Sequence, residues 1–209
     1  MKYFNKIILA SALVGSFTFS FAQKVDAKAK TILETVSKNY KAKKNTYFKF
    51  SYGTGTGKVS KTETGIFYST PTQYKLNIMG NEQIFDGKKV YNISKEDQEV
   101  TIAQPNGSEK ALSPINYLDE YKTGYTVTYA GKSGGLDLIK MVPVKDNGVK
   151  NVVLYINTPK KQIAKIVQTS SGNDLAVITV NQYKENQSLS ASTFSFDKNK
   201  YKNYLITEL

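Results

Sequence analysis

The segment 67–102 (FYSTPTQYKLNIMGNEQIFDGKKVYNISKEDQEVTI) constrains the fold more than any other part of the chain. Its apolar residues keep mainly to alternate positions, as in Tyr74, Leu76 and Ile78, and a period of two is typical of strands with one apolar face. Turn signals such as Asp86-Gly87 divide the segment into four or five short strands. Because such short connections cannot form parallel crossovers, the segment predicts an antiparallel meander.

The remainder of the chain extends or covers this sheet. The first strand of this segment begins before it, at 64–69, and further strands are predicted at 46–52, 125–130, 136–142, 152–157, 162–169 and 175–183. A long helix is predicted over 23–43, where apolar residues recur at helical spacing, and a short one begins at Ser113-Pro114. We therefore expect a mainly β fold with two helices. It is a strongly curved antiparallel sheet of ten or eleven strands, a half or unclosed β-barrel, covered by the long N-terminal helix and the short inserted helix.

The sequence GTGTG at 53–57 separates two of the predicted strands. A phosphate-binding loop would need a helix after it and a Lys-Ser or Lys-Thr pair. Here Lys58-Val59-Ser60 leads into another strand instead. The glycines therefore predict the tip of a hairpin.

Residues 1–22 have the organisation of a secretory signal peptide. Lys2 and Lys6 precede an apolar run, and Ser20-Phe21-Ala22 places small residues where a signal peptidase cleaves. The run is short and contains Ser and Thr, which does not favour a membrane anchor. We expect cleavage after Ala22 and export of residues 23–209 as a single soluble domain.

The composition excludes several classes of function. The chain has no Cys and no His, so it lacks disulfides, the usual metal ligands and every His-dependent catalytic arrangement. Neighbouring carboxylates such as Asp119-Glu120 are placed at turns or helix ends, where they favour solvation over acid–base chemistry. We therefore expect no enzymatic activity, no catalytic residue, no metal and no cofactor.

The charge is strongly basic. The net charge is +12 for the whole chain, and all 29 basic residues are Lys. Nucleic-acid readers depend on the bidentate Arg fork, so we expect no nucleic-acid partner. The lysines are spread along the chain, which suits a soluble exterior and also attraction to an anionic membrane or an acidic partner.

Four pieces of the sequence, in this order and spacing, resemble LolA-type periplasmic outer-membrane lipoprotein carriers of the kind found in Bacteroidota-like sequences. They are Gly65-Ile66-Phe67 through Pro71 to Tyr74, the hairpin Ile84 to Tyr91, the helix at Ser113-Pro114, and the pair Phe194 and Phe196. The resemblance covers residues 23–209 nearly end to end. It implies a half-open sheet wrapped over helices with an apolar cavity between them.

The resemblance also implies a function. Such carriers accept acylated lipoproteins from an inner-membrane lipoprotein-releasing transporter and bring them to an outer-membrane receptor or to the outer membrane, acting as monomers in the periplasm. One position departs from the proteobacterial pattern: Thr70 stands where an Arg closes the cavity. Closure of the cavity by that Arg therefore cannot be carried over to this chain. A periplasmic binding or sensing module for another lipid or apolar ligand is the alternative.

Twelve apolar residues are candidates for the cavity wall. Two come from the long helix, one from the short helix and the others from strands. They are Ile32, Val36, Phe48, Phe50, Phe67, Tyr74, Leu76, Ile78, Tyr91, Ile93, Leu118 and Leu138. Met79 and Met141 would give the wall adaptability if they point inward.

Overall fold

The structure is a computed structural model that describes residues 24–105, 115 and 117–209. The predicted signal peptide and the start of the short helix at Ser113-Pro114 lie outside the described residues. Two α-helices, twelve strands and two 3₁₀ helices are present in the described part: α1 Ala27–Lys41, β1 Thr46–Thr56, β2 Lys61–Ser69, β3 Tyr74–Ile78, β4 Asn81–Phe85, β5 Val90–Ser94, β6 Glu99–Ala103, α2 Tyr117–Glu120, β7 Tyr125–Ser133, β8 Leu136–Pro143, β9 Val149–Asn157, β10 Gln162–Ser170, β11 Asp174–Glu185, 3₁₀ helices Ala191–Phe194 and Lys198–Tyr201, and β12 Leu205–Glu208.

All twelve strands belong to one sheet, in the order β12-β6-β5-β4-β3-β2-β1-β11-β10-β9-β8-β7. Every pair is antiparallel except β12, which runs parallel to β6. The edge strands β7 and β12 do not pair with each other, so the curved sheet remains an unclosed barrel. This confirms the predicted fold class, with more strands than the ten or eleven expected.

Helix α1 covers the inner face of the sheet. Asp26 caps it, since its carboxylate accepts a hydrogen bond from the Ala29 amide at 2.9 Å. One stripe of the helix is buried and includes Leu33, Val36 and Tyr40. Neither helix in residues 24–105 and 115–209, as far as these are described, has the length and apolar character needed to cross a membrane.

The hairpin between β1 and β2 differs from the prediction. Strand β1 continues through Gly53 and Gly55 to Thr56, so the tip lies beyond the position expected. The chain then folds back closely over the strand. A Cβ at Gly53 would lie 2.8 Å from a Val59 methyl carbon, and one at Gly55 would lie 2.1 Å from the Lys58 carbonyl oxygen. The glycines therefore permit this close return, and they are part of the strand.

The sheet has apolar clusters on both faces. The larger one lies on the inner face beneath α1 and α2. The smaller one lies on the outer face of β4–β6, where Ile84, Ile93 and Val100 are covered by the C-terminal segment. Aromatic rings from that segment stack on the strands, with the Tyr91 and Phe196 centroids 4.7 Å apart. The two clusters therefore occupy different parts of the sheet, the inner one mainly on β1–β3 and β7–β11 and the outer one on β4–β6.

Candidate ligand-binding cavity

A cavity of about 340 Å³ opens on the inner face at the C-terminal end of α1. It lies where this helix end meets the start of β1, the end of β2, the start of β3 and helix α2. Side chains from all five elements line it: Ser37, Tyr40, Lys41, Lys43, Asn45, Thr46, Phe67, Ser69, Thr70, Pro71, Gln73, Tyr74, Ile115, Leu118 and Asp119. Its volume falls in the range of small-molecule sites.

The floor of the cavity is aromatic. The Phe67 and Tyr74 rings stack with centroids 5.8 Å apart, and both side chains are almost fully buried. The Tyr74 hydroxyl donates a hydrogen bond to the Gln83 side chain at 2.9 Å, so the polar end of this ring has a partner within the protein. Leu118 of α2 is also buried. Phe67, Tyr74 and Leu118 therefore offer an alkyl chain an apolar surface on this side of the cavity.

Tyr40 forms the wall on the helix side and remains uncharged. Its hydroxyl accepts a hydrogen bond from the Ile163 amide at 2.8 Å, which ties the end of α1 to β10. Burial raises the pKa of this phenol far above its usual value, and the amide donor opposes that only in part. The wall is therefore neutral across the physiological pH range.

The rim is polar, and its charges are paired. The Lys41 Nζ lies 2.5 Å from an Asp119 carboxylate oxygen, so this ion pair joins α1 to α2 across the cavity mouth. The Lys43 Nζ lies 2.8 Å from Glu185, and the hydrogen bond from this lysine lowers the pKa of the Glu185 carboxyl. The rim therefore suits the polar end of an amphipathic ligand whose apolar part lies on the floor.

Thr70, which replaces the Arg of the proteobacterial pattern, closes its own turn. Its hydroxyl oxygen accepts hydrogen bonds from the amides of Gln73 at 2.9 Å and Thr72 at 3.3 Å. Because these bonds are local, this side chain does not reach across the mouth as the family's Arg is expected to do. At the rim, an ion pair between Lys41 and Asp119 joins α1 to α2.

Nine of the twelve predicted wall residues lie together in the inner apolar cluster. They come from α1, α2 and strands β1–β3: Ile32, Val36, Phe48, Phe50, Phe67, Tyr74, Leu76, Ile78 and Leu118. Phe67, Tyr74 and Leu118 of this set line the cavity itself. The others form the packed layer on either side of it.

Tyr91, Ile93 and Leu138 lie on the outer face. Tyr91 is paired with Ile84 across β4 and β5, and Leu138 is paired with Tyr155 across β8 and β9. Because side chains alternate between faces, their neighbours Asn92 and Ile139 point inward instead. These three predicted residues therefore do not join the cavity.

Several residues at the cavity were missed by sequence reasoning. Tyr40 belongs to the buried stripe of α1, and that stripe was the signal that could have identified it. Thr46 and Ser69 are buried polar residues whose hydroxyls hydrogen-bond to each other at 2.7 Å, and neither has an apolar pattern to reveal it. Met141 is buried in the inner cluster, whereas Met79 is half-exposed at the turn after β3.

Asp86, the carboxylate before Gly87, acts as a turn former, as predicted. One carboxylate oxygen accepts hydrogen bonds from the amides of Lys88 and Lys89, both at 2.8 Å. The other accepts from the Tyr91 hydroxyl at 2.9 Å. Partial burial opposes ionisation, but these donors together lower the pKa of the Asp86 carboxyl. The group stabilises the β4–β5 hairpin in its ionised form.

The fold has counterparts among solved structures. An uncharacterised conserved protein from Thermus thermophilus has a TM-score of 0.62 and 12% identity, with 87% of this chain and 99% of that chain covered. A LolA superfamily protein from Nitrosomonas europaea has a TM-score of 0.46 and 10% identity, with coverage of 81% and 98%. The lipoprotein LppX from Mycobacterium tuberculosis has a TM-score of 0.47 and 10% identity, with coverage of 79% and 98%. No curated protein matches the sequence.

The curved, unclosed sheet with its helix-covered apolar cavity defines a half-barrel binding protein. The family model described as outer membrane lipoprotein carrier protein LolA matches residues 45–197. The chain therefore belongs to the LolA family, and the resemblance inferred from its motifs is confirmed. The members of this family are binding or carrier proteins.

Proposed function

We propose that this protein is a periplasmic carrier that shields the acyl chains of a lipoprotein and moves them from the inner to the outer membrane. The observation that carries the proposal is the cavity of about 340 Å³ with a buried aromatic floor and a charge-paired polar rim. Membership of the LolA family supports the same function. The apolar floor would hold alkyl chain, and the rim would face the polar part of the cargo.

The energetics favour partial burial of the cargo. Each buried methylene contributes about 0.8 kcal/mol, so a chain of about 15 methylenes would gain about 12 kcal/mol in gross terms. Several fully buried chains would approach the practical ceiling of non-covalent affinity. A carrier must release its cargo, which suits a cavity near the lower end of the usual range of about 300–1,000 Å³. Cargo larger than the cavity would enter when α2 separates from α1.

The proposed route begins with export and cleavage after Ala22. The protein then acts as a monomeric single domain in the periplasm. It receives lipoprotein from an inner-membrane lipoprotein-releasing transporter and delivers it to an outer-membrane receptor or to the outer membrane itself. Neither a cofactor nor a catalytic residue takes part.

A second candidate is binding or sensing of another lipid or apolar ligand. The modest cavity volume favours it, since this space suits one chain better than three. The half-barrel and the floor formed by Phe67, Tyr74 and Leu118 would serve both functions.

A transfer assay tests the proposal. Inner-membrane vesicles that contain the transporter and a labelled triacylated lipoprotein are incubated with the mature protein, and release of label into the soluble fraction is measured. Ser69 lines the cavity, so Ser69→Phe fills it, whereas Ser171 is exposed in a turn and Ser171→Phe serves as the matched control. We expect release by the wild type and the control and loss in Ser69→Phe. Absence of release with wild type would refute the carrier function.

A further inference from the structure

The outer face of the sheet from β8 to β2 carries four lysines and no carboxylate at its outward positions. Strand register places Lys140, Lys165, Lys184 and Lys49 on this face, opposite the side chains of the inner cluster. None of the four forms an ion pair among the described residues. We refer to this surface as the basic outer face.

Apolar side chains lie between these lysines. Val153, Val167 and Val177 are direct neighbours on β9, β10 and β11, and they form a row across the three strands. Each remains partly exposed. Val142 on β8 lies at the end of this region and is 38% exposed. Lys140 is paired with Val153 at one end of the row, and Lys165 lies on the same face of β10 two residues before Val167, so these two lysines flank the valine row.

Two of the lysines lie beside tyrosine rings. The Lys165 Nζ is 5.3 Å from the Tyr155 ring centroid, and the Lys184 Nζ is 5.8 Å from the Tyr47 ring centroid. Tyrosine, lysine and aliphatic side chains together are typical of surfaces at a membrane–water interface. There the ring and the alkyl stem lie against apolar groups while the charge remains in water.

We propose that the basic outer face docks reversibly on an anionic phospholipid bilayer, with the lysines over lipid phosphates and the valine row against the headgroup region. Charge complementarity carries this choice of partner. The lysines are spread from β8 to β1, about 19 Å at the usual strand spacing. An anionic bilayer offers negative charge continuously over such a span. This surface is on the opposite side of the sheet from the cavity, so the inference is independent of the proposed function.

Each lysine near an anionic membrane increases partition about fivefold, so four give binding that is measurable and readily reversed. The effect should fall steeply with salt, because exposed charges are screened over about 10 Å at 0.1 M ionic strength.

The experiment is flotation of the mature protein with vesicles of phosphatidylcholine, with and without phosphatidylglycerol, at low and high salt. The test variant carries Lys140→Gln and Lys165→Gln. The control carries Lys30→Gln and Lys38→Gln, which remove the same charge from the exposed side of α1, on the other side of the sheet. Circular dichroism establishes that both variants are folded.

We expect wild-type binding to the anionic vesicles at low salt only. We expect a fall of about 25-fold in the test variant and little change in the control. Equal loss in both variants would show that net charge alone is responsible and would overturn the proposal. Failure of the wild type to bind anionic vesicles would also overturn the proposal. This includes the case in which the wild type binds an acidic protein but not the vesicles.

Discussion

Replacement of Gly65 by Ala tests the physical reason for the glycine that begins the first family motif. Gly65 on β2 is paired directly with Phe50 on β1. A Cβ at this position would lie 2.2 Å from the Cζ atom of the Phe50 ring, far inside contact distance. The φ of Gly65 is not in the left-handed region, so the penalty is steric. Phe50 is fully buried, and displacing its ring should cost about 1–3 kcal/mol of unfolding free energy.

Urea unfolding followed by far-ultraviolet circular dichroism measures this cost. Gly172→Ala is the control, since a Cβ there would meet its nearest atoms only at 3.8 Å, and we expect a change within about 0.5 kcal/mol. If the Phe50 ring causes the penalty, Phe50→Leu should reduce the cost of Gly65→Ala by about 1 kcal/mol or more. An equal cost of Gly65→Ala in both backgrounds would refute the steric explanation.

Two further predictions concern buried polar groups. Asn45→Ala should lower the unfolding free energy by about 1–3 kcal/mol. The Asn45 side chain donates a hydrogen bond of 2.8 Å to the Gln187 carbonyl oxygen and accepts one of 2.9 Å from the Gln187 amide, and both would be lost. An unchanged urea midpoint would contradict this prediction. For buried Asp137, a hydrogen bond from Thr158 and a second from Tyr129 outweigh burial and lower the carboxyl pKa. Its stabilisation is therefore present above the unfolded pKa of about 3.9 and is lost as pH falls through the folded pKa. Asp137→Asn should lower stability at neutral pH and flatten its decline in acid, measured by thermal unfolding from about pH 2 to 7; an equally steep decline would contradict the assignment.

Most of the strands were predictable because each of them has a local signature. Alternation within β1 places Phe48 and Phe50 on the same face of that strand, and the structure buries both in the inner cluster. Strand β12 was not counted, because it has four residues, exposes Leu205, and depends on parallel pairing with β6. Such a pairing is a tertiary contact that has no pattern of its own in the sequence.

The cavity was only partly predictable, because alternation groups side chains by face and does not identify the inner one. Tyr91 and Ile93 are apolar since the C-terminal segment covers their side of β5. The signal for this second layer was available in Phe196 and Tyr201, aromatic residues that require a surface to cover. The site of the cavity itself depends on where α1 ends at Lys41 and meets α2, which no local pattern specifies.

Native mass spectrometry of the protein, purified gently from the cells that produce it naturally, tests the proposed carrier function most directly. The cavity with its apolar floor and polar rim predicts a bound acylated lipoprotein or acylated peptide, and Ser69→Phe should reduce its amount while Ser171→Phe retains it. A different lipid in the same cavity would support the alternative function. Protein that is empty under these conditions, with no acylated ligand retained by wild type, would contradict the account.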